Sequence, residues 1–185
     1  PVRNLTRWIE SAGVIVIEEH LGTRRIDGLS QWASEYPVVL LNADLPADRK
    51  RWTLAHEVGH LVLHSSYIDP DVETQANDFA AELLMPRHVI ESDLHNLTPS
   101  RLLALKKVWG ISMQAIFEHA HRLGKVSAAD RAKFYRTMNA RGWRKNEPGA
   151  DVIPNERPEL AQTIGQDLMT RGGLSRDEVA RLTGR

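Results

Sequence analysis

Cysteine is absent from the 185-residue sequence. The chain therefore has no disulfide framework and no cysteine-ligated metal site, and any metal bound by its side chains would need histidine and carboxylate ligands. A run of about eighteen apolar residues, which a membrane-spanning helix requires, is also lacking, and no secretory signal peptide is recognisable. These absences predict no membrane association and a cytoplasmic location.

An excess of charge of one sign is lacking as well, because 24 Lys and Arg residues balance 24 Asp and Glu residues. A balanced chain is not a general electrostatic binder of nucleic acid, although it can still carry a local basic patch. Hydrophobic residues make up 42% of the sequence and charged residues 26%, which is ordinary for a globular protein. A chain of this length can bury one good core with a small appendage.

The most informative pattern is H-E-V-G-H at positions 56–60. On a helix, His56 and His60 would lie on one face with their Cβ atoms about 6 Å apart, so both imidazoles could reach one metal ion. Zinc is the expected metal, because neutral imidazole suits it and it has no redox chemistry. Glu57 lies beside the pair, where its carboxylate can hold a metal-bound water and remove its proton.

The same stretch could instead be purely structural. Apolar side chains surround the predicted helix, so we expect it to be buried, and both histidines and Glu57 would then need separate polar partners. One metal ion and its water would satisfy all three, which favours the metal site. His64 continues the spacing, but it lies about 12 Å along the helix from His56, too far for one coordination sphere; we expect it to cap the helix or face a cleft rim.

The third ligand is expected from the next predicted helix, about residues 71–85, which Pro86 ends. On a helical wheel Glu73 lies about 60° from the centre of the apolar stripe, so its carboxylate is predicted to face the metal helix. A helix N-terminal carboxylate stabilised by the dipole would also explain Glu73. Asn77, one turn later, is a candidate for orienting a ligand. The alternative third ligands are Asp69, Asp71 and Glu82.

Three short segments before the motif are predicted to form β-strands. They are residues 14–17, 24–32 and 38–41, and the short links between them favour a small, mostly antiparallel sheet. The sequence after the motif is mainly helical. We therefore expect an α+β fold in which the sheet packs on the metal-binding helix and a mainly helical C-terminal part follows.

Two motifs resemble the ImmA/IrrE family of metallopeptidases. Residues 51–64 have the pattern R-x-T-x-A-H-E-x-G-H-x-x-x-H, and residues 73–86 have the pattern E-x-x-A-N-x-F-A-A-E-L-L-M-P. The resemblance covers about residues 10–145 and implies a zincin-like fold. Many related chains carry a DNA-binding helix-turn-helix domain upstream, which is consistent with a chain that begins at Pro1 and leaves open whether such a domain precedes it.

The resemblance also implies the chemistry. The residues matching the zinc ligands are His56, His60 and Glu73, and the residue matching the general base is Glu57. Family members cleave helix-turn-helix repressors and so switch on stress or mobile-element genes, which implies a Zn²⁺-dependent endopeptidase with a repressor as its protein partner. The candidates for the further oxyanion donor that a zincin normally adds are Tyr67 and His64.

The expected organisation has four parts. They are a metallopeptidase core at 1–95, a helical extension at 96–145, a linker rich in Pro and Gly at 146–158, and a helical tail at 159–185.

The extension leaves nucleic-acid binding open. Two predicted helices around Gly110, the second capped by Ser112, have the outline of a helix-turn-helix, but we favour the interpretation that they are two helices packed over the sheet. Basic residues interleave with aromatic residues in 131–145. This pattern is compatible with nucleic-acid binding, with an acidic substrate segment or with a solvated helix face.

Two rival functions are compatible with the sequence. A transcriptional regulator could use the peptidase-like domain as a sensor without proteolysis, and a fused upstream helix-turn-helix domain would favour it. A toxin–antitoxin component could act by binding alone, and a stable complex without turnover would indicate this function.

Overall fold

The α+β fold class predicted from the sequence is confirmed. The computed structural model describes residues 1–23, 25–64, 70–144 and 146–182. No helix in these ranges is both long enough and apolar enough to cross a bilayer. The elements up to and including the helix of the H-E-V-G-H motif are α1 (Leu5–Ser11), β1 (Ile15–Glu19), β2 (Gly28–Ala33), β3 (Tyr36–Asn42) and α2 (Ala47–Leu63). The later elements are α3 (Val72–Leu84), α4 (Arg87–Ile90) with a 3-10 turn (Glu91–Asp93), α5 (Pro99–Trp109), α6 (Met113–Arg122), α7 (Ala128–Ala140), α8 (Leu160–Thr170) and α9 (Arg176–Leu182).

The three strands form a mixed sheet in the order β1-β3-β2. The β2–β3 pair is antiparallel, as expected for strands joined by a two-residue link. The β1–β3 pair is parallel, so the sheet is mixed where a mostly antiparallel sheet was expected. Strand β2 lies two positions from β1 in the sheet, and β3 occupies the position between them and runs in the same direction as β1. Half of the strand pairing is therefore antiparallel, and β2 forms an edge of the sheet.

One face of the sheet packs against α2. Val16 and Val39 pair across β1 and β3 and are fully buried, in the same hydrophobic core as Leu54 of α2. Residues paired across neighbouring strands point to the same face of a sheet. Ser30 of β2 pairs with Val39, and its side chain therefore points toward α2 as well.

The hydrophobic core continues into the helical extension without a break at position 95. Leu102, Trp109 and Ile116 are buried in the cluster that also contains Leu54. Ser112 caps α6, as predicted, because its hydroxyl accepts a hydrogen bond from the Ala115 N–H at 3.1 Å. The two helices around Gly110 therefore share one hydrophobic core with α2.

The segment predicted to be a linker is attached to the folded core by buried carboxylates. This anchored segment comprises residues 147–160. The Glu147 carboxylate lies 3.0 Å from Lys106 Nζ, which is also 2.7 Å from Asp48 in the first turn of α2. Lys106 is fully buried, and both carboxylates are nearly so. Proline and glycine in this segment thus end regular structure without freeing the chain from the core.

Two further carboxylates complete these anchors. Glu156 forms a buried ion pair with Arg51 of α2 and accepts a hydrogen bond from the Thr6 N–H at 2.8 Å. Glu10 of α1 accepts hydrogen bonds from the N–H groups of Glu159 and Leu160 at the start of α8. The C-terminal part is therefore attached to both α1 and the N-terminal half of α2.

Candidate metal centre

The three predicted ligands lie at the vertices of one small triangle. The Nε2 atoms of His56 and His60 are 3.0 Å apart. The Glu73 carboxylate places Oε2 3.4 Å from His56 Nε2 and Oε1 3.5 Å from His60 Nε2. Donors about 2.0–2.1 Å from a tetrahedral zinc ion lie roughly 3.3–3.4 Å from one another. The spacing of the two imidazoles and the carboxylate, whose two oxygens each face one histidine, is therefore close to that of three zinc ligands.

The alternative third ligands do not enter this triangle. Within the described residues, His56, His60 and Glu73 form the one group of His, Asp or Glu donors close enough to share an ion. Asp71 and Glu82 are described but do not join the group, and Glu82 is exposed. Asp69 lies outside the described residues.

Close packing between α2 and α3 brings Glu73 to the histidine pair. A Cβ atom on Gly59 would lie 3.2 Å from Ala76 Cα and 3.2 Å from Phe79 Cβ, so the absence of a side chain lets the two helices approach. Ala76 is fully buried at this contact. Glu73 precedes Ala76 by about one turn of α3, which places its carboxylate over the ligand pair from the exposed side of the cleft.

The environment of His60 favours the protonation state that binds metal. Burial lowers the pKa of His60 below its ordinary value of 6.5, and the neighbouring His56 lowers it further. A lowered histidine pKa means that the imidazole releases its proton at a lower pH and is neutral at pH 7. Neutral imidazole is the form that coordinates zinc.

Glu57 is held by a residue that the sequence analysis did not identify. The Ser30 hydroxyl of β2 donates a hydrogen bond to Glu57 Oε2 at 2.7 Å, and Glu57 is only 9% exposed. This hydrogen bond fixes the carboxylate beside the histidine pair. A lone serine in a strand carries no local signal of such a role, and only the pairing of Ser30 with Val39 indicates which face it occupies.

A cleft of about 890 Å³ joins these groups to the edge of the sheet. It is lined by β2 along its length and by the candidate metal ligands and Glu57. The Trp32 indole N–H at the end of β2 donates to the Leu61 carbonyl of α2 at 3.2 Å. This contact holds the edge strand against the last turn of the metal helix.

The remaining candidates occupy different places. His64 follows the last turn of α2, and its N–H donates to the His60 carbonyl at 2.9 Å; its side chain lines the cleft. The Asn77 side-chain amide donates a hydrogen bond to the backbone carbonyl of Glu73 at 2.7 Å. Asn77 therefore stabilises the turn of α3 that carries Glu73. Tyr67 lies outside the described residues.

Comparison with known proteins places this site in a wider group. The sequence model of the Peptidase_M78 family, described as an IrrE N-terminal-like domain, matches residues 9–123. The chain is similar to the radiation response metalloprotease IrrE of Deinococcus radiodurans, with 35% identity over 80 residues that cover 36% of this chain and 24% of the relative. The protein of the same name from Deinococcus deserti is 34% identical over 80 residues, which cover 36% of this chain and 28% of that relative. The matches thus span about a quarter of the length of these curated relatives.

Proposed function

Because the chain belongs to the Peptidase_M78 family of metallopeptidases, we propose that it is a zinc-dependent endopeptidase. The observation that carries the proposal is the triangle of His56, His60 and Glu73, in which the donor atoms of neighbouring side chains approach one another to 3.0–3.5 Å, close to the spacing of zinc ligands. Glu57 lies next to this triangle, as a general base for water attack requires.

Each side chain has a defined part in the proposed reaction. His56 and His60 would hold the ion as neutral imidazoles, and Glu73 would supply the third, anionic ligand. When bound, zinc polarises the scissile carbonyl and makes water a stronger acid. Glu57 accepts the proton of the attacking water and then donates it to the leaving amine. Ser30 keeps the Glu57 carboxylate oriented through the hydrogen bond to Oε2.

The substrate is proposed to be an extended protein segment. β2 lies at an edge of the sheet and lines the cleft beside Glu57, so its outer main-chain groups can pair with a peptide strand. Main-chain pairing positions any extended segment, and the cleft side chains then select among sequences. Such a cleft suits cleavage within a chain, which supports an endopeptidase.

We further propose that the substrate is a helix-turn-helix repressor in the cytoplasm and that its cleavage regulates stress or mobile-element genes. The resemblance of the two sequence motifs supports this substrate class. The curated relatives are named radiation response metalloproteases, which supports a role in a stress response.

The test is cleavage of a purified repressor encoded beside this gene. The chain is incubated with the repressor and zinc, and the products are identified by mass spectrometry. Cleavage that stops with a chelator and returns with zinc supports the proposal. An intact repressor after incubation with the zinc-loaded chain contradicts this substrate, and a stable complex without turnover would favour a regulator that acts by binding.

Replacing Glu73 with Ala is expected to remove the metal. Loss of a hydrogen-bonding partner outside the coordination sphere typically costs 10–100-fold in metal affinity, so loss of a direct ligand should cost more than about 100-fold. We expect about one zinc per wild-type chain by elemental mass spectrometry and a sharp reduction in the variant. Glu82→Ala, an exposed carboxylate on the same helix, is the matched control and should retain zinc. Zinc retained in Glu73→Ala would place the third ligand elsewhere.

A further inference from the structure

We infer that His64 and Gln75 position His60 for metal binding through a chain of two hydrogen bonds. His60 Nδ1 lies 3.0 Å from His64 Nδ1, and His64 Nε2 lies 3.0 Å from Gln75 Oε1. These two hydrogen bonds thus connect His60 Nδ1, the ring nitrogen that faces away from the metal triangle, to the side chain of Gln75 on α3. This inference deepens the proposed zinc peptidase and rests on its metal site.

The acceptor at the end of this hydrogen-bonded series, Gln75 Oε1, determines which ring nitrogens of His64 and His60 carry a proton. Gln75 Oε1 can only accept a hydrogen bond, so His64 Nε2 carries the proton. In neutral His64 the other ring nitrogen is then an acceptor, and the proton between the two rings belongs to His60 Nδ1. His60 Nε2 is left with its lone pair, which is the atom in the metal triangle.

The opposite proton order would prevent metal binding. If the Gln75 amide donated to His64 Nε2, His64 Nδ1 would carry the proton and donate to His60 Nδ1. Neutral His60 would then carry its proton on Nε2, the atom that faces Glu73 at 3.5 Å. The two orders are therefore chemically distinct, and only the first leaves His60 ready to coordinate an ion.

Helix α3 contributes side chains that act on both ring nitrogens of His60. Glu73 faces His60 Nε2 as the third ligand, and Gln75, two residues later, fixes His60 Nδ1 through His64. His56 lacks an equivalent support, because its buried Nδ1 has no hydrogen-bond partner in the described part of the chain. The second histidine of the motif is thus the one whose ring state depends on the docking of α3.

The test measures zinc affinity by competition with a chromogenic chelator, so it does not depend on activity. His64→Phe keeps an aromatic ring but removes the acceptor, and it should weaken zinc binding about 10–100-fold. Gln75→Leu should weaken binding in the same direction. His64→Gln retains an acceptor near His60 and should restore affinity to within a few-fold. Thr74→Ala, an exposed neighbour on α3, is the matched control and should bind like wild type.

Nitrogen NMR of the metal-free chain supplies a signature that a purely structural role would not produce. The wild type should show His60 as the Nδ1–H tautomer, and His64→Phe should show a mixture of tautomers. An Nε2–H tautomer in the wild type, or equal zinc affinity in all variants, would overturn the inference while leaving the zinc peptidase intact. Failure of the wild type itself to bind zinc would instead overturn the proposed function.

Discussion

Replacing Glu57 with Gln is expected to leave zinc bound at wild-type stoichiometry and to slow peptide cleavage by about 10²–10⁴-fold. Glutamine has almost the same shape as glutamate, and its carbonyl oxygen can still accept the hydrogen bond that Ser30 donates at 2.7 Å. The amide cannot, however, take a proton from water at neutral pH. The metal triangle does not include Glu57, so its three donors are unchanged.

Two measurements on the same samples decide this prediction. Cleavage rate is measured with the zinc-loaded chain and a repressor or peptide substrate, and zinc content is measured by elemental mass spectrometry. Glu82→Gln makes the same chemical change at an exposed site on α3 and should retain both properties. Cleavage by Glu57→Gln at the wild-type rate would show that another group acts as the base. Loss of zinc would show that Glu57 serves the metal site instead.

Replacing Lys106 with Met is expected to destabilise the fold by about 3–5 kcal/mol, the usual cost of removing one partner of a buried ion pair. Lys106 is fully buried between Asp48 at 2.7 Å and Glu147 at 3.0 Å. Methionine fills a similar volume but leaves two carboxylates in the core without their shared cation. A loss of this size is a large part of the 5–15 kcal/mol by which domains are typically stable.

Chemical denaturation of the full chain, followed by circular dichroism, measures this loss. Lys125→Met is the matched control, because Lys125 also contacts a carboxylate, Glu91 at 2.6 Å, but at a partly exposed site. Exposed ion pairs contribute little, so the control should unfold close to wild type. Equal midpoints for Lys106→Met and the control would mean that the buried cluster does not hold the anchored segment in place.

Much of the candidate site was predictable because its signals are local. The spacing within α2 places His56 and His60 on one face, and the apolar stripe of α3 indicates which way Glu73 points. The structure brings these three side chains together. Ser30 could not be found in this way, because its contact with Glu57 spans 27 positions and joins a strand to a helix.

Local composition did not predict the burial of carboxylates in the anchored segment or the parallel pairing of β1 with β3. Proline and glycine in residues 146–158 correctly indicate irregular backbone, but the burial of Glu147 and Glu156 depends on Lys106 and Arg51, far away in sequence. Short links favour antiparallel neighbours, and they predict the β2–β3 hairpin. They do not predict that β3 enters between β1 and β2, because that choice depends on how the whole sheet packs on α2.

The attachment of Glu156 to Arg51 has a consequence for the order of events during synthesis. The two residues are 105 positions apart, and translation at about 5–20 residues per second separates their synthesis by roughly 5–20 s. During that interval the metal helix exists without the carboxylate that neutralises its buried guanidinium. The ion pair that completes the docking of α2 therefore forms only after synthesis has reached Glu156, and contacts of such long range favour slow folding.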